Sequence, residues 1–387
     1  MLSQTTIHTI KATVPVLEEH GLTITTRFYE LLFSNHPELW NVFNHANQMR
    51  FTQQEALAKA LHAAASHIEQ IETIAPAVNK IAHKHRSVGV KAEHYPIVGH
   101  FLIIAMKDVL GEGASKEVIG AWEEVYDVLS QQFIKIESAL EKEAKWSGFL
   151  PLKITRKVRE TRDITSFYLQ AENRSFLPGQ YVSVKVHVNG YDHIRQYSLS
   201  NGNNQQAYRI SVKREQPADG PSGIVSQYMH DHVNVGDNLH VSAPAGTVRY
   251  DHESENPLVF ISAGSGVTPM ISMLKKVTTE QPERDVHFVY GTANSETHVF
   301  KEEVEDVGQT HSQVQQYIFY KNPLKNDTYT KVGELNQEAI AGIISPLNDP
   351  EIIIGGSKQF IDDMYTSLKA CDVDDNRIRY ESFEPQI

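Results

Sequence analysis

Cysteine is almost absent from this 387-residue chain, with Cys371 the only one. No disulfide can form within it, which suits a reducing cytosol, and a lone cysteine is expected as a small buried hydrophobe. Basic residues are also in deficit: 36 Lys and Arg stand against 48 Asp and Glu, a formal net charge of -12. No basic run offsets this balance, so nucleic acid and an anionic membrane surface are excluded as main partners. Long apolar runs are missing too. The longest, Ile97–Met106, contains Gly99 and His100 and falls far short of a membrane span. Met1–Thr6 has no basic segment leading into an apolar one, so no signal peptide is expected. These deficits describe a soluble cytoplasmic protein without stable membrane insertion. Internal repeats and low-complexity tracts are lacking as well.

What is present falls into three zones, because a chain of this length exceeds one ordinary core. Residues 1–146 read as helix after helix, with Leu57, Ala60, Leu61, Ala64 and Ile68 at three- and four-residue spacing. Pro37, Pro76 and Pro96 are placed near helix starts, where a missing N–H costs nothing. Trp146–Pro151 reads as a linker. Over 150–253 the period drops to two, as in Tyr181–Val188 and Tyr208–Lys213, and Pro178-Gly179, Asn189-Gly190 and Asn201-Gly202 punctuate the runs. Short strands of this kind predict an antiparallel β-barrel. Over 256–387 the apolar runs Leu258–Ser262, Val286–Tyr290 and Glu351–Ile354 alternate with helical spacing, predicting an α/β domain with a parallel sheet.

Two motifs lie in the last two zones. Gly264-Ser265-Gly266-Val267-Thr268-Pro269 follows a strand and should open a helix, where glycines admit a pyrophosphate and the helix N-terminus favours its charge. Glycine turns after strands are common, and Pro269 stands where a Rossmann fingerprint has its third glycine. Arg195-Gln196-Tyr197-Ser198 ends a strand-rich stretch. A flavin needs a cation for its pyrophosphate, an aromatic face and a small donor near the nitrogen that accepts hydride, and Arg195, Tyr197 and Ser198 can supply all three. An ordinary exposed strand would look similar. Upstream lies Pro178-Gly179-Gln180-Tyr181. Downstream, Gly223–Ser226 starts a further helix in a phosphate-binding arrangement.

On these motifs, residues from about 150 onward resemble the ferredoxin–NADP reductase superfamily. The resemblance implies FAD as cofactor, with Tyr197 packed on the isoalloxazine and Ser198 bonded near its reactive nitrogen. Two departures stand out. The superfamily's Cys-Gly-Pro is replaced by Gly355-Gly356-Ser357, and Glu-Cys-Phe-Gly by Glu381-Ser382-Phe383-Glu384. Glu381 keeps the acid and Phe383 the aromatic expected to face the flavin.

The helical zone carries much of the chain's 19 histidines, so a histidine alone decides little. In Ile74–Arg86, Val78, Ile81 and His85 share one helix face, while His83 is rotated well away. A haem needs a neutral imidazole on an inner face, so His85 is the better ligand, though a core histidine would look alike. Tyr29 lies on a face with Leu22, Thr25, Leu32 and Phe33, and a buried phenol there needs a partner. Gln53 precedes Ala56, Leu57, Ala60 and Leu61 at helical spacing, and Phe43 sits in the bend after Pro37–Trp40, placed to wedge a haem edge. Each alone could be core packing.

Together with Lys80–His85, Tyr95–Gly99 and Asn47-Gln48 leading to Gln53, this arrangement resembles the flavohaemoglobins over essentially the whole chain. The resemblance implies a globin carrying haem b, then an FAD domain, then an NAD(P)H domain. It implies His85 as proximal iron ligand, Tyr29 and Gln53 as distal residues, and Tyr95 and Glu137 as a proximal relay that enriches the imidazole. Lys84, beside the ligand, is a candidate for tuning the haem. The implied activity is nitric oxide dioxygenase: NO, O2 and NADH or NADPH give nitrate, in a monomer. A haem-flavin reductase using other acceptors and an O2 or NO sensor or store are the alternatives. No arginine follows Tyr290 in Gly291–Glu296 to grip a 2′-phosphate, which favours NADH.

Overall fold

The structure is a computed structural model, and it describes residues 2–144, 146–202, 207–215 and 223–382. The first zone is helical: α1 (Gln4–Ala12), α2 (Val14–Asn35), α3 (His45–Met49), α4 (Thr52–Ser66), α5 (Ala75–Val88), α6 (His94–Leu110) and α7 (Lys116–Ala144). Pro37 opens a short 3-10 turn, Pro37–Asn41, and Pro76 sits in the first turn of α5. Gly89, at φ +85°, ends α5 in the left-handed conformation that suits glycine at a helix C-terminus. Ile10, Ile24, Phe28, Leu32, Leu102, Met106 and Val125 form the core of this bundle, all of them inaccessible to solvent or nearly so. Leu22 departs from the expected buried face of α2: it is 46% exposed.

The second zone is a six-stranded sheet in the order β4-β3-β6-β1-β2-β5, every ladder antiparallel. The strands are β1 (Phe149–Arg159), β2 (Ile164–Gln170), β3 (Tyr181–Val188), β4 (Tyr191–Ser198), β5 (Ala207–Lys213) and β6 (Asn238–Ser242), with α8 (Ile224–His232) between β5 and β6. The sheet curls like a barrel without being closed by a ladder, because β4 and β5 meet through the single bridge Leu199–Ile210. The predicted linker is shorter than the sequence suggests. Phe149–Lys153 already pairs with β6, and Pro151 is tolerated because that half of β1 bonds β6 while the other half bonds β2. Trp146 is buried in the core of this second zone.

The third zone is a parallel sheet in the order β10-β9-β8-β7-β11-β12, built from β7 (Leu258–Ala263), β8 (Val286–Thr292), β9 (Val314–Tyr320), β10 (Lys331–Val332), β11 (Glu351–Gly356) and β12 (Ile378–Ser382). Helices α9 (Val267–Glu280) and α10 (Lys301–Thr310) cover the face of Leu258 and Phe260. Helices α11 (Gln337–Ile344) and α12 (Lys358–Lys369) cover the face of Val259 and Ile261. The chain runs from β7 outward to β10, then returns to β11 on β7's other side. The carboxyl end of β7 is therefore a topological switch point, where such sheets bind ligands. Cys371 is half-buried against the α11–α12 layer, less enclosed than a lone cysteine is expected to be. No helix among the described residues is long and apolar enough to cross a membrane.

Candidate active site

In the helical zone α5 presents His85, the first turn of α6 presents Tyr95, and α7 brings Glu137 across. The His85 Nδ1 lies 3.0 Å from the Tyr95 hydroxyl and 3.1 Å from Glu137 Oε1. Tyr95 in turn donates to Glu137 Oε1 at 2.5 Å. Glu137 is buried, and burial together with the neighbouring carboxylate holds the Tyr95 phenol far above its ordinary range. A carboxylate facing Nδ1 places the imidazole proton on that nitrogen, which leaves the Nε2 lone pair for a metal. The His85 side chain is 33% exposed, so its free edge is not walled in by core packing. This donor set fits a haem iron.

Across the bundle, the Tyr29 ring packs against Phe28, Phe33 and Phe43, with centroids 4.8, 5.8 and 5.7 Å away. Burial raises its phenol pKa, and Gln48 is hydrogen-bonded to it. Gln48 Nε2 donates to Gln53 Oε1 at 2.8 Å, and Gln54 Nε2 donates to Gln48 Oε1 at 3.0 Å. The structure thus brings Tyr29 and Gln53 together through Gln48, which the sequence reading did not select. Nothing in its spacing marked it: α3 is a five-residue helix with no periodic face.

Strand β4 carries the flavin motif. Its Arg195 donates to the Ile194 carbonyl at 2.7 Å, and no carboxylate pairs with it among the described residues. Burial lowers its pKa, so this is an enclosed cation lacking an anion, as a pyrophosphate site requires. Tyr197 and Tyr181 are phenols whose pKa burial raises. Tyr181 exchanges backbone bonds with Ala245, and a Cβ on Gly246 would press within 3.2 Å of its ring. Ser198 is buried. Gln196 is bonded inward to Ser183 Oγ at 3.2 Å. Gly223, at φ +82°, precedes α8. The Ser226 hydroxyl donates to Gly223 O and accepts from Glu215 N–H, so it braces the helix start.

The turn Gly264–Gly266 leads from β7 into α9 as expected. Tyr290 donates to Gly264 O at 3.1 Å and Thr268 to Ser265 O at 3.0 Å. Val267, Thr268 and Pro269 are buried and support the turn from within. A Cβ on Gly266 would run into the Gly355 carbonyl. A Cβ on Gly355 would lie 2.5 Å from Gly266 O and 2.6 Å from Met270 Cε. The Gly355 that replaces the expected cysteine is therefore matched to direct backbone packing of the turn on β11. Gly355 pairs in register with Glu381 of β12. Burial pushes the Glu381 carboxyl up to about 7, against the pull of Lys80 and Lys84. Burial also lowers Lys84. Phe383 and the Ser382 side chain lie outside the described residues.

Comparison with known proteins covers the same three zones. Residues 26–133 match the globin family, 151–250 the oxidoreductase FAD-binding domain and 260–366 the oxidoreductase NAD-binding domain. The chain is 46% identical over 400 residues to a flavohemoprotein of Bacillus thuringiensis subsp. konkukian, covering 100% of this chain and 99% of that one. A flavohemoprotein of Rhizobium meliloti is 41% identical over 402 residues, again covering 100% and 99%. A solved flavohemoglobin from Malassezia yamatoensis, with bound FAD and heme, shares the fold with a TM-score of 0.88 at 24% identity, covering 99% of this chain and 100% of that one. The flavohem-like FAD/NAD-binding domain of nitric oxide dioxygenase from Vibrio cholerae O1 biovar El Tor is 34% identical, with a TM-score of 0.56 over 62% of this chain and 100% of that one. Three zones in one order and a likeness that spans the full length make this chain a member of the flavohemoprotein family.

Proposed function

We propose that this chain is a nitric oxide dioxygenase that converts NO, O2 and NADH or NADPH to nitrate. The observation that carries the reading is the His85–Tyr95–Glu137 relay in the same chain as the Arg195–Ser198 strand and the Gly264–Gly266 turn. When bound, the nicotinamide supplies hydride, FAD converts it to single electrons, and haem b supplies the oxygen-binding redox centre on which NO is oxidised.

The chain's own residues then have distinct tasks. Glu137, with Tyr95, holds the proton on His85 Nδ1 and makes Nε2 the more basic iron ligand. Tyr29 keeps its hydroxyl proton at any physiological pH and would donate it as a hydrogen bond to a ligand in the pocket. Gln48 and Gln53 orient that phenol, and Phe43 lines its edge. Arg195 would neutralise a pyrophosphate, Tyr197 and Tyr181 would hold the flavin ring, and Ser198 would supply a hydrogen bond near its reactive nitrogen. Gly264–Gly266 offer backbone N–H groups at the start of α9 to the second pyrophosphate. Lys84 and Glu381 belong to the contact between the haem side and the flavin.

We place the domain boundaries at 1–146, 150–253 and 256–387, and assign the protein to the cytoplasm as a monomer. NADH is the favoured nucleotide. Asp327 accepts from Ser295 N–H at 3.2 Å, so a carboxylate stands beside the segment where a 2′-phosphate would need a cation. The test is NO consumption by haem- and FAD-loaded protein with NADH and O2, with nitrate measured. Vigorous ferricyanide reduction without NO consumption would reassign the chain to a reductase serving other acceptors.

A further inference from the structure

Helix α5 carries His85 on one face. Its opposite face carries His83 and Ser87, four residues apart, with Arg86 beside them. That second face is not packed on the helical bundle. It is seated on the flavin-motif domain, and it is closed to solvent: Ser87 and Ser183 are 0% exposed, His83 and Arg86 8%.

The bonds across this contact form a directed chain. Gln196 Nε2, in the flavin motif, donates to Ser183 Oγ at 3.2 Å. Ser183 donates to Ser87 Oγ at 3.0 Å, and Ser87 donates to the Lys84 carbonyl at 2.8 Å. Every hydroxyl both accepts and donates, so the dipoles align and strengthen one another. The chain starts on β4 and ends on the peptide that precedes His85. Two flanking bonds grip the loop after β6: Gly246 N–H donates to His83 Nδ1 at 3.2 Å, and Arg86 donates to the Pro244 carbonyl. That loop is the one zipped to Tyr181 through Ala245.

We infer that this seam fixes the position of the haem-ligand helix on the flavin domain, and that Ser87, Ser183 and His83 are positioning residues for electron transfer from flavin to haem. The inference rests on the reading of His85 and β4 as haem and flavin sites. The step positioned takes one electron from reduced flavin, whose proton leaves to solvent, and reduces iron(III) to iron(II). Two such steps discharge one hydride. The seam acts on that step alone, because none of the three residues touches the nucleotide turn.

The experiment uses holoenzyme variants Ser183→Ala, His83→Leu and His83→Gln. Amide exchange at Gly246, whose N–H is held by His83, should rise about tenfold or more in His83→Leu and return toward the native rate in His83→Gln, whose carbonyl can accept the same bond. In anaerobic stopped flow with NADH and CO, haem reduction should slow about tenfold in Ser183→Ala and His83→Leu, since small displacements of redox partners are costly. Flavin reduction by NADH and ferricyanide turnover should stay at the native rate. Should Ser183→Ala fail to fold, Ser183→Thr with Ser87→Ala repeats the test. Unchanged exchange at Gly246, or haem reduction at the native rate in both variants, overturns the inference. Failure of the wild type to consume NO would instead refute the dioxygenase reading and leave the exchange result standing.

Discussion

The two junctions that join the three zones of this chain are built from opposite chemistry. Between the helical zone and the flavin-motif domain, the contacts are mostly neutral hydrogen bonds: Ser183 to Ser87, Gly246 N–H to His83, Asp192 N–H to Asn41 Oδ1. Between the flavin-motif domain and the nucleotide domain, the contact is ionic. Arg209 of β5 pairs with Glu303 of α10, Glu303 also pairs with Lys275 of α9, and the Arg209 guanidinium lies 4.3 Å from the Phe300 ring centroid. Ser272, donating to Asn201 O at 3.0 Å, and Gln281, donating to His252 O at 3.0 Å, add neutral bonds there. Neutral bonds fix geometry at short range and ignore salt. Ion pairs beside a cleft of about 510 Å³ respond to it. The step assigned to the first junction moves an electron, and that assigned to the second moves a hydride, so salt and mutation should separate the two.

The largest effect belongs to Glu303→Gln. Arg209 is 2% exposed, and losing its carboxylate would leave a buried cation unpaired. Such losses cost about 3–5 kcal/mol. We expect an unfolding free energy lower by roughly 3 kcal/mol in denaturant titration and markedly slower flavin reduction by NADH. Haem reduction from prereduced flavin should be untouched. Equal slowing of both steps would erase the distinction between the junctions.

A third contact tests whether burial or charge is what matters. Lys80 and Lys84 of α5 face Tyr380 and Glu381 of β12, with Lys80 lying 5.4 Å from the Tyr380 ring centroid. Glu381 is raised from 4.5 to about 7 by burial. The folded protein therefore holds this proton where the unfolded chain has released it. Its contribution to stability is complete below 4.5 and is lost as pH rises through about 7. Over that window the wild type should lose about 3 kcal/mol relative to Glu381→Gln. Thermal melts of both proteins across the window check it, and parallel curves would show that the lysines cancel the burial penalty.

Much of this was legible in the sequence where one element suffices to show it. The three-four spacing set His85 against Val78, and the strand-to-turn passage at Ile261–Gly266 marked the nucleotide turn. What escaped needed two elements at once. Gln48 matters because α3 folds back beside α2 and α4, which no local pattern reveals. Glu137 has the spacing of a surface charge; the family resemblance named it for the relay, but its own pattern did not, because the relay exists only when α7 crosses α5 and α6. Gly355 looked like a lost cysteine until its backbone met Gly266. His83 was visibly rotated from the ligand face, but its acceptor role depends on Gly246 in another domain. Leu22 misled in the other direction, because helical spacing alone does not say where a bundle stops covering a helix.

The smallest effect is the most diagnostic of the contrast. Raising salt from about 0.1 to about 1 M shortens the screening length from roughly 10 to 3 Å. Lys275 and Glu303 are partly exposed, at 32% and 28%, so their pairing weakens, while Arg209 keeps most of its hold on Glu303. A surface-exposed pair is worth about 0.2–1 kcal/mol, so flavin reduction by NADH should slow only about twofold. Electron transfer to haem crosses a seam with no exposed ion pair among the described residues and should not change. Stopped-flow rates of both steps, measured on one sample across the salt series, make the comparison direct. A haem-reduction rate that falls with salt as steeply as the flavin rate would mean that electrostatics also holds α5 to the flavin domain. Lys84 with Glu381, rather than Ser87 with Ser183, would then be the contact that sets the distance.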